Sequence, residues 1–258
     1  MLMDFSEFKT RIYQHFGLNL AGYKEPQLIR RIGSLMGLLK IPDYEAYFRL
    51  LKSDPAQWKK FVDKITINVS EFFRNPEIFA RLEKEILPQL LARYHRLKIW
   101  SAACANGPEP YSLAIILAEQ SPGLKHIIDA TDIDDAALEE AKKGFYDRRV
   151  LQNVSAARLE RYFIPEGPGY RLKNEIIRRV NFRHHDLLTD EFDRNYHLIV
   201  CRNVTIYFTP ETQNKLYRQF YQSLAPGGVL FIGATENIFS YREIGFQKIG
   251  PWFYQKEE

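Results

Sequence analysis

The sequence predicts an α/β protein with a mostly parallel sheet, preceded by a small all-α domain. Two patterns indicate this class. From about Leu97 onward, short apolar runs alternate with stretches of helical periodicity, an order typical of parallel strands covered by helices on both faces. The first quarter of the chain instead repeats apolar residues at three- and four-residue spacing, which indicates amphipathic helices.

The N-terminal all-α domain is predicted to span residues 1–66. Its first two helices are marked by the apolar sets Phe5, Phe8, Ile12, Phe16 and Leu28, Ile32, Leu35, Leu39. Two shorter helices follow over Tyr44–Leu51 and Pro55–Ile65, and Asp54 is expected to cap the second of them. The basic residues expected to avoid the apolar stripe and face outward are Lys24, Arg30, Arg31 and Lys40.

Residues 67–96 are interpreted as a linker and a first helix leading into an α/β domain over residues 97–258. The predicted strands are Leu97–Ala103, His126–Thr131, Val180–His184, His197–Cys201 and Val229–Ala234. The predicted helices are Glu109–Gln120, Asp135–Lys143 and Pro210–Leu224. The tail, Phe246–Tyr254, resembles a hairpin that adds antiparallel edge strands.

The stretch near residues 146–181 interrupts this alternation. It contains a helical pattern over Ala156–Phe163 and a turn at Pro165–Gly169. Extended segments are expected at Tyr170–Lys173 and Ile176–Phe182. We interpret the stretch as a small antiparallel β excursion attached to the main sheet.

Composition restricts the class of protein. The chain has 258 residues, of which 45% are hydrophobic, so it can bury one large core or a large and a small one. Its apolar runs are too short to cross a bilayer, and its first residues do not resemble a signal peptide. Cys104 and Cys201 each end a predicted buried strand without metal-ligand spacing, which favours core thiols in a cytoplasmic protein. A monomer is the default expectation.

The net charge of +4 is carried by the N-terminal quarter. Residues 1–64 contain eleven Lys and Arg against seven Asp and Glu, whereas residues 65–258 contain twenty-five of each kind. This surplus favours a binding surface for an acidic partner. An ordinary solvated helical face explains the same counts, and the composition alone leaves both readings open.

The segment Ile99–Ser112 is the strongest single motif. It reads as a buried strand, a Gly/Pro turn and a helix that opens at Glu109-Pro110, the arrangement in which α/β proteins bind nucleotide-like ligands. The turn lacks the further glycines of a dinucleotide fingerprint. Since Glu109 places a carboxylate there, the segment suits a ligand with an amino group and no phosphate, such as S-adenosylmethionine.

Two further segments supply polar groups to the same end of the predicted sheet. Asp132 ends the second strand and can accept hydrogen bonds from both hydroxyls of a ribose, while Asp134 is interpreted as the N-cap of the next helix. Asn203 follows the fourth strand and can offer a donor and an acceptor to an adenine edge.

Arg74, beside two phenylalanines, can hold a carboxylate in a two-pronged hydrogen bond or form an interdomain salt bridge.

Four segments in this order resemble the CheR family, the chemotaxis receptor methyltransferases, over nearly the whole chain. They are Asn68-Val-Ser-Glu-Phe-Phe-Arg74, Trp100–Ser112, Ala130-Thr-Asp-Ile-Asp134 and Cys201-Arg-Asn-Val-Thr-Ile-Tyr-Phe208. The resemblance implies a Rossmann-like S-adenosylmethionine-dependent methyltransferase domain. It also implies methyl transfer to glutamate side chains of methyl-accepting chemoreceptors, with S-adenosylhomocysteine as the other product.

The resemblance also implies roles for residues at matching positions. The implied cofactor contacts are Asn68, Ser70, Arg74, Glu109, Asp132, Asp186, Leu187, Asn203 and Val204. Arg74 and Tyr207 are implied to lie beside the reacting centre, and Arg30, Arg31 and Lys24 are the expected partner-binding residues. No metal, nucleic acid or membrane insertion is expected.

The sequence departs from the family pattern at four positions in or near the implied site. Pro108 replaces a glutamate before Glu109, Ser70 replaces a threonine, Thr205 replaces an apolar residue, and Asp186 stands where asparagine is common. Pro108 removes a negative charge and stiffens the turn, so the cofactor affinity can differ in either direction. Thr205 is expected to have little effect, and Arg202 receives no role from the sequence.

Two other functions are weighed against this one. A non-catalytic module could sense a nucleotide while its basic helices dock a partner, but such a module need not retain the whole set of implied residues. A nucleic-acid methyltransferase would suit the sequence pI of about 8.9, but the chain lacks interleaved basic and aromatic residues. A metal site at His184 and His185 is not favoured, because adjacent residues on a strand point to opposite faces.

By resemblance, some family members also bind a short peptide at the receptor's C-terminus through the antiparallel excursion. In this chain the corresponding turn contains Pro165 and Pro168. Prolines lack the backbone N–H that an added peptide strand would need. The sequence therefore predicts independence from such a tethering peptide, with Arg30 and Arg31 as the main docking residues.

Overall fold

The computed structural model describes residues 3–66 and 70–257, and these form two compact units. One unit comprises the described part of residues 1–67 together with residues 206–215, and the other comprises the described part of residues 68–205 and 216–258. The division differs from the predicted one in two respects. Residues 206–215 cluster with the N-terminal helices, and the segment after residue 67 belongs to the second unit.

The first unit is all-α in its N-terminal part, as predicted. Its helices are α1 (Phe5–Phe16), α2 (Glu25–Leu38), α3 (Tyr44–Ser53) and α4 (Pro55–Thr66). Phe8, Ile12 and Ile32 are fully buried where the helices pack together. The predicted cap is confirmed, because Asp54 Oδ1 accepts a hydrogen bond of 2.9 Å from the backbone N–H of Ala56.

Residues 206–209 are fastened to the N-terminal helices by backbone hydrogen bonds within the first unit. Lys24 N–H donates to the carbonyl of Tyr207 at 2.8 Å, and Thr209 N–H donates to the carbonyl of Gly22 at 2.9 Å. Tyr23 forms an isolated antiparallel bridge with Phe208, and the two rings lie 4.9 Å apart in an edge-on contact. These contacts explain why a segment so late in the sequence joins this unit.

Arg31 is a correction to the predicted docking surface. It was expected to face outward, but it is only 8% exposed, and its Nη1 donates to the carbonyl of Ile65 at 2.7 Å. The reason is helical geometry, since Arg31 lies three residues after the fully buried Leu28 and therefore shares its face. Lys24 is half-buried and its Nζ donates to the carbonyl of Ile206 at 2.9 Å, whereas Arg30 is exposed.

The second unit contains a seven-stranded sheet and a three-stranded sheet. Its strands are β1 (Lys98–Ala102), β2 (Ile127–Asp132), β3 (Phe145–Asp147), β4 (Phe163–Glu166), β5 (Gly169–Leu172), β6 (Val180–His184), β7 (Tyr196–Cys201), β8 (Leu224–Ile232), β9 (Phe246–Gly250) and β10 (Phe253–Lys256). The helices after α4 are α5 (Pro76–Arg81), α6 (Leu87–Arg93), α7 (Pro108–Gln120), α8 (Asp135–Lys143), α9 (Ala156–Tyr162), α10 (Asn174–Ile177), α11 (Pro210–Ser223) and α12 (Tyr241–Ile244).

The large sheet has the strand order β6-β2-β1-β7-β8-β10-β9. Its first five strands run parallel to one another, and β10 pairs antiparallel with both β8 and β9. The order reverses on either side of β1, which creates the switch point where open α/β sheets bind ligands. The predicted fold class and the predicted antiparallel tail are confirmed.

The small sheet, β3-β5-β4, is the predicted antiparallel excursion. Two details differ from the prediction. Pro165, expected in a turn, lies in β4, where it is tolerated because β4 is an edge strand that pairs only with β5. The stretch from Ile176, expected to be extended, begins in the short helix α10.

Within residues 3–66 and 70–257, no helix has both the length and the apolar character needed to cross a membrane. Cys104 and Cys201 are buried free thiols, and burial raises the pKa of both well above the usual thiol range. Both thiols lie in the core, as predicted.

Candidate functional site

The polar residues predicted for the site in the second unit lie just beyond the carboxyl ends of neighbouring parallel strands. Asp132 ends β2, and Asp186 follows β6 by two residues. Asn203 follows β7 by two residues. Glu109 stands in the first turn of α7, which begins after the loop that follows β1.

The turn before α7 requires Gly107. Its φ of 94° lies in the left-handed region, and an added Cβ would approach Ala141 Cβ to 2.9 Å and Tyr146 Oη to 3.1 Å. Pro108 is buried at the first position of α7, where a missing N–H costs nothing because no intrahelical acceptor exists there. The departure from the family pattern at Pro108 is thus compatible with the local helix start.

Asp132 joins two loops of the site. Its Oδ2 accepts a hydrogen bond of 2.8 Å from Ala105 N–H, and its Oδ1 accepts one of 2.9 Å from Asp134 N–H. The residue is 5% exposed, and burial raises the pKa of its carboxyl while these hydrogen bonds lower it. Each oxygen retains a second lone pair, so ribose binding stays a prediction for Asp132. Asp134 caps α8 as predicted, accepting from Ala136 N–H at 2.9 Å.

Glu109 is a nearly buried carboxylate. Its side chain is 12% exposed; Oε1 accepts from Ser101 Oγ at 2.8 Å, and Oε2 lies 3.6 Å from Arg202 Nη1. Burial raises the pKa of Glu109, whereas the Arg202 guanidinium, the Ser101 hydroxyl and Arg74 act in the opposite direction. The environment therefore leaves a carboxyl whose charge depends on its cationic neighbours.

Arg202, for which the sequence predicts no role, links this carboxylate to the segment that contains Arg74. Its side chain is 2% exposed, and Nη2 donates to the carbonyl of Arg74 at 3.0 Å and to Asn75 Oδ1 at 2.9 Å. The guanidinium carbon also lies 4.7 Å from the Phe231 ring centroid and 5.3 Å from that of Phe79. Burial lowers the pKa of Arg202, and Glu109 offsets that effect.

The backbone on either side of Arg74 has left-handed φ angles, and a hydrogen bond holds it in place. Phe73 and Asn75 both have positive φ, 51° and 61°, a conformation that is uncommon for residues other than glycine, although asparagine tolerates it. Phe73 N–H donates to Ser112 Oγ at 3.0 Å. Arg74 is half-buried, so its main chain is fixed while part of its side chain reaches solvent.

Glu236, which the sequence did not single out, accepts hydrogen bonds from the loop after β7. Its Oε2 accepts from Asn203 N–H at 2.8 Å and from Gly233 N–H at 2.6 Å. Its Oε1 accepts from the N–H groups of Val204 at 3.1 Å and Thr205 at 2.8 Å, and from Thr205 Oγ1 at 2.6 Å. The carboxylate is therefore held by four backbone donors and one hydroxyl.

Some buried polar atoms of the site fit an adenine-containing cofactor. Within the described residues, Asn203 Oδ1 and Asp186 Oδ2 are buried without a hydrogen-bond partner. Such acceptors are costly unless a ligand satisfies them, and an adenine amino group is a suitable donor. Leu187 is buried next to Asp186, and burial raises the pKa of the Asp186 carboxyl.

Three remaining site predictions lie elsewhere or cannot be placed. Tyr207 belongs to the first unit, where the Arg31 guanidinium lies 4.5 Å from its ring centroid. Ser70 is half-buried in the second unit. Asn68 lies outside the described residues.

Among the described residues, His126 lies beside a serine but donates a hydrogen bond to it. His126 Nε2 lies 2.7 Å from Ser121 Oγ, but its Nδ1 accepts from Leu97 N–H, so Nε2 carries the proton and donates. His184 is exposed and lies 2.9 Å from Asp135, whereas His185 is buried. The adjacent histidines thus lie in different environments, as predicted.

Comparison with known proteins identifies the family of this chain. Residues 3–66 match the all-alpha domain of CheR methyltransferases, and residues 68–252 match their SAM-binding domain. The chemotaxis protein methyltransferase of Listeria monocytogenes is 41% identical over 255 residues, covering 98% of this chain and 97% of the relative. That of Escherichia coli K12 is 33% identical over 261 residues, covering 97% of this chain and 89% of the relative.

The resemblance to solved structures is weaker. Magnesium protoporphyrin IX methyltransferase of Synechocystis PCC 6803, solved with bound SAM, matches with 16% identity and a TM-score of 0.38, covering 68% of this chain and 76% of that one. The family assignment rests on the sequence matches over both units. The chain therefore belongs to the CheR family of chemotaxis methyltransferases and is an enzyme that uses S-adenosylmethionine.

Proposed function

We propose that this enzyme methylates glutamate side chains on the cytoplasmic helices of chemoreceptors, forming methyl esters, and that it works as a cytoplasmic monomer. The observation that carries the proposal is the contact series that runs from Glu109 through Arg202 to the backbone of Arg74. This series would connect the carboxylate proposed to bind the cofactor with the main chain of the cation proposed to bind the substrate. The curated relatives named above are chemotaxis protein methyltransferases, which supports a receptor substrate.

The cofactor is proposed to be held by groups at the carboxyl ends of the strands. Glu109 would bind its amino group, Asp132 the ribose hydroxyls, and Asn203 with Asp186 the adenine edge, beside Leu187 and Val204. When bound, S-adenosylmethionine supplies a sulfonium methyl group, which a carboxylate oxygen takes as the carbon–sulfur bond breaks and its electron pair stays on sulfur. No proton is transferred in this exchange.

The side chains that the structure provides suit a reaction without a general base. A free glutamate side chain has a pKa of about 4.3, so the proposed nucleophile is already ionised at neutral pH. Arg74 would orient that carboxylate by a two-pronged hydrogen bond. The role implied for Tyr207, which belongs to the first unit, stays a prediction. Alignment of this kind accounts for about 7–11 kcal/mol in well-oriented intramolecular reactions.

The proposed receptor-docking surface is smaller than the sequence suggested. Arg31 is buried, and the half-buried Lys24 is engaged with a carbonyl, which leaves Arg30 and Lys40 as the exposed basic residues of that group. Both belong to the quarter of the chain that carries the surplus positive charge. Exposed charges of this kind guide an acidic partner but are screened by salt.

The test is methyl transfer from radiolabelled S-adenosylmethionine to receptor cytoplasmic fragments, with total RNA as the competing substrate. We expect label on the receptor that is released as methanol by mild alkali, since esters hydrolyse under base and methylated amines do not. Receptor fragments whose methylated glutamates are changed to alanine serve as the matched control. Label on RNA, or cofactor binding without transfer to either substrate, would refute the proposal.

A further inference from the structure

We propose that Glu236 is a positioning residue that holds Asn203 in the orientation needed to read the adenine edge of the cofactor. The inference deepens the proposed function, because it rests on the adenine role of Asn203. Glu236 follows the end of β8 by four residues, whereas Asn203 follows the neighbouring strand β7. The carboxylate of Glu236 therefore joins the two loops at the edge of the sheet where the proposed site lies.

The main chain of the Asn203 loop donates most of the hydrogen bonds that the Glu236 carboxylate accepts. Three consecutive N–H groups, those of Asn203, Val204 and Thr205, donate to its two oxygens at 2.8–3.1 Å. Gly233 N–H adds a fourth bond at 2.6 Å. Several N–H groups on one carboxylate fix a peptide segment more tightly than a single cap, since each charge-assisted bond constrains one peptide plane.

The conformation thus fixed is one that Asn203 would not adopt freely. Its φ is 61°, in the left-handed region, which is sparsely populated by residues other than glycine although asparagine tolerates it. This backbone turn leaves Asn203 Oδ1 buried and without a hydrogen-bond partner among the described residues. The amide is therefore held ready for a donor from a ligand rather than for one from the protein.

Gly233 is part of the same arrangement. An added Cβ at that position would lie 2.5 Å from Glu236 Oε2 and 2.7 Å from the backbone nitrogen of Asn203. Both distances are far below van der Waals contact, so the carboxylate and the Asn203 loop can approach each other only because residue 233 lacks a side chain. Gly233 is thus needed for the contact between Glu236 and Asn203.

Glutamine cannot replace this carboxylate. Ionised glutamate only accepts hydrogen bonds, whereas a glutamine amide exposes an N–H₂ group in place of one oxygen. Whichever way the amide is turned, that group faces two backbone N–H donors of the loop or of Gly233 and leaves them unsatisfied. Glu236→Gln should therefore release the Asn203 loop with almost no change in side-chain volume.

The test compares affinity for S-adenosylhomocysteine with affinity for its analogue whose purine lacks the 6-amino group. We expect the wild type to prefer S-adenosylhomocysteine by about tenfold, the effect of about one hydrogen bond, and Glu236→Gln to reduce this preference to about twofold. Asn203→Gly removes one of the two proposed acceptors, the other being Asp186 Oδ2, and does so without backbone strain, because glycine tolerates the left-handed conformation. It should lower the preference at least as far as Glu236→Gln does. Glu243→Gln, the same change at an exposed position in α12, should leave it intact.

A double-mutant cycle separates positioning from general stability. In the Asn203→Gly background, Glu236→Gln should change the affinity for S-adenosylhomocysteine by less than about threefold, since residues that act through one another are not additive. If Glu236→Gln is not folded at the assay temperature, Gly233→Ala displaces the same pair and should also lower the preference. An unchanged preference in folded Glu236→Gln would overturn the inference, whereas an unchanged preference in Asn203→Gly would overturn the adenine role itself.

Discussion

At the scale of single residues, Asp132 combines a structural contact with a predicted ligand contact. Its two oxygens accept the N–H groups of Ala105 and Asp134, so the carboxylate orders the loops that would surround a ribose. A carboxylate bonded in this way has lost part of its freedom before the ligand arrives. Ligand hydroxyls then pay less ordering cost than they would at a mobile acceptor.

Asp132→Ala should weaken the binding of S-adenosylmethionine. The variant loses the proposed ribose bonds, each contributing about 1.5–3 kcal/mol to a charged acceptor, and also loosens the loop at Ala105. Isothermal calorimetry measures the effect, with Asp135→Ala as a control, because Asp135 is exposed and pairs with His184. Unchanged affinity in a folded Asp132→Ala protein would contradict the assignment.

Arg74→Lys should lower turnover more than it lowers cofactor affinity. Lysine retains the positive charge but lacks the planar fork that aligns a carboxylate, so we expect kcat to fall at least about tenfold, equal to about 1.4 kcal/mol. Steady-state methylation of receptor fragments measures it, with Arg149→Lys as an exposed control. Turnover at the wild-type rate would assign Arg74 to a purely structural role.

The charge of Glu109 should depend on Arg202. Burial raises the pKa of Glu109 and Arg202 opposes that shift, so Arg202→Met should raise the pKa further. Only the ionised carboxylate binds the cofactor's ammonium group. As the pH is lowered, the affinity of Arg202→Met for the cofactor should therefore begin to fall at a higher pH than that of the wild type. The folded state then binds more protons than the unfolded state, so stability should increase as pH falls through this window.

The measurement is the dissociation constant of S-adenosylhomocysteine across pH, together with the melting temperature. The added change Glu109→Gln removes the titrating group and should abolish the difference in pH profile between Arg202→Met and the wild-type background. Arg202→Lys keeps a cation and should move the profile less than Arg202→Met. Identical profiles for wild type and Arg202→Met would show that Arg202 does not control the charge of Glu109.

At the scale of elements, the long buried strands were predictable and the short pieces were not. Buried parallel strands such as β1 and β7 read as continuous apolar runs, and each of their predicted ends lies within one residue of the observed one. The four-residue helix α10 carries too few residues for a periodic pattern. The edge strand β4 contains a proline, which reads as a turn when its partner strand is unknown.

Arg31 and Arg30 should respond differently to substitution, because adjacent residues of α2 lie in different environments. Arg31→Met removes a charge-assisted hydrogen bond to the carbonyl of Ile65 and should lower the free energy of unfolding by about 1.5–3 kcal/mol. Arg30→Glu should leave stability almost unchanged, since the side chain is exposed. Denaturant unfolding and receptor methylation measure the two effects.

For this pair of variants, Arg30→Glu should reduce methylation of receptor fragments at low salt and approach the wild-type rate as salt is added. Lys40→Glu offers an independent reversal at a second exposed position. If Arg30→Glu methylates normally at low salt, or if Arg31→Met is as stable as the wild type, the distinction between the two residues is wrong.

At the scale of the whole molecule, methylation should not depend on a tethering peptide. The turn between β4 and β5 contains Pro168, and Pro165 lies on the edge strand β4, so the small sheet has lost backbone donors that an added strand requires. Receptor fragments with and without their last residues should be methylated at rates within about twofold. A strong requirement for the receptor tail would show that the docking surface lies on the small sheet.

The sequence predicts those residues of the candidate site whose proposed role follows from residue type and position after a strand. It does not predict residues whose role depends on a contact with another part of the chain. Glu109, Asp132 and Asn203 could be found because each follows a predicted strand. Arg202 and Glu236 could not, because their roles arise from contacts with main-chain groups that are distant in sequence. No local pattern of residue types reports which carbonyl or N–H group a buried side chain will meet.

Because residues 206–215 belong to the first unit, hybrids made from two relatives must take more than the N-terminal helices from one parent. A chimaera that exchanges only the N-terminal helices would pair Tyr23 and Lys24 of one parent with Phe208 and Tyr207 of the other. Two crossovers, one on each side of the late segment, would transfer the contacts intact. Functional hybrids with swapped receptor preference should therefore inherit both stretches of chain from the same parent.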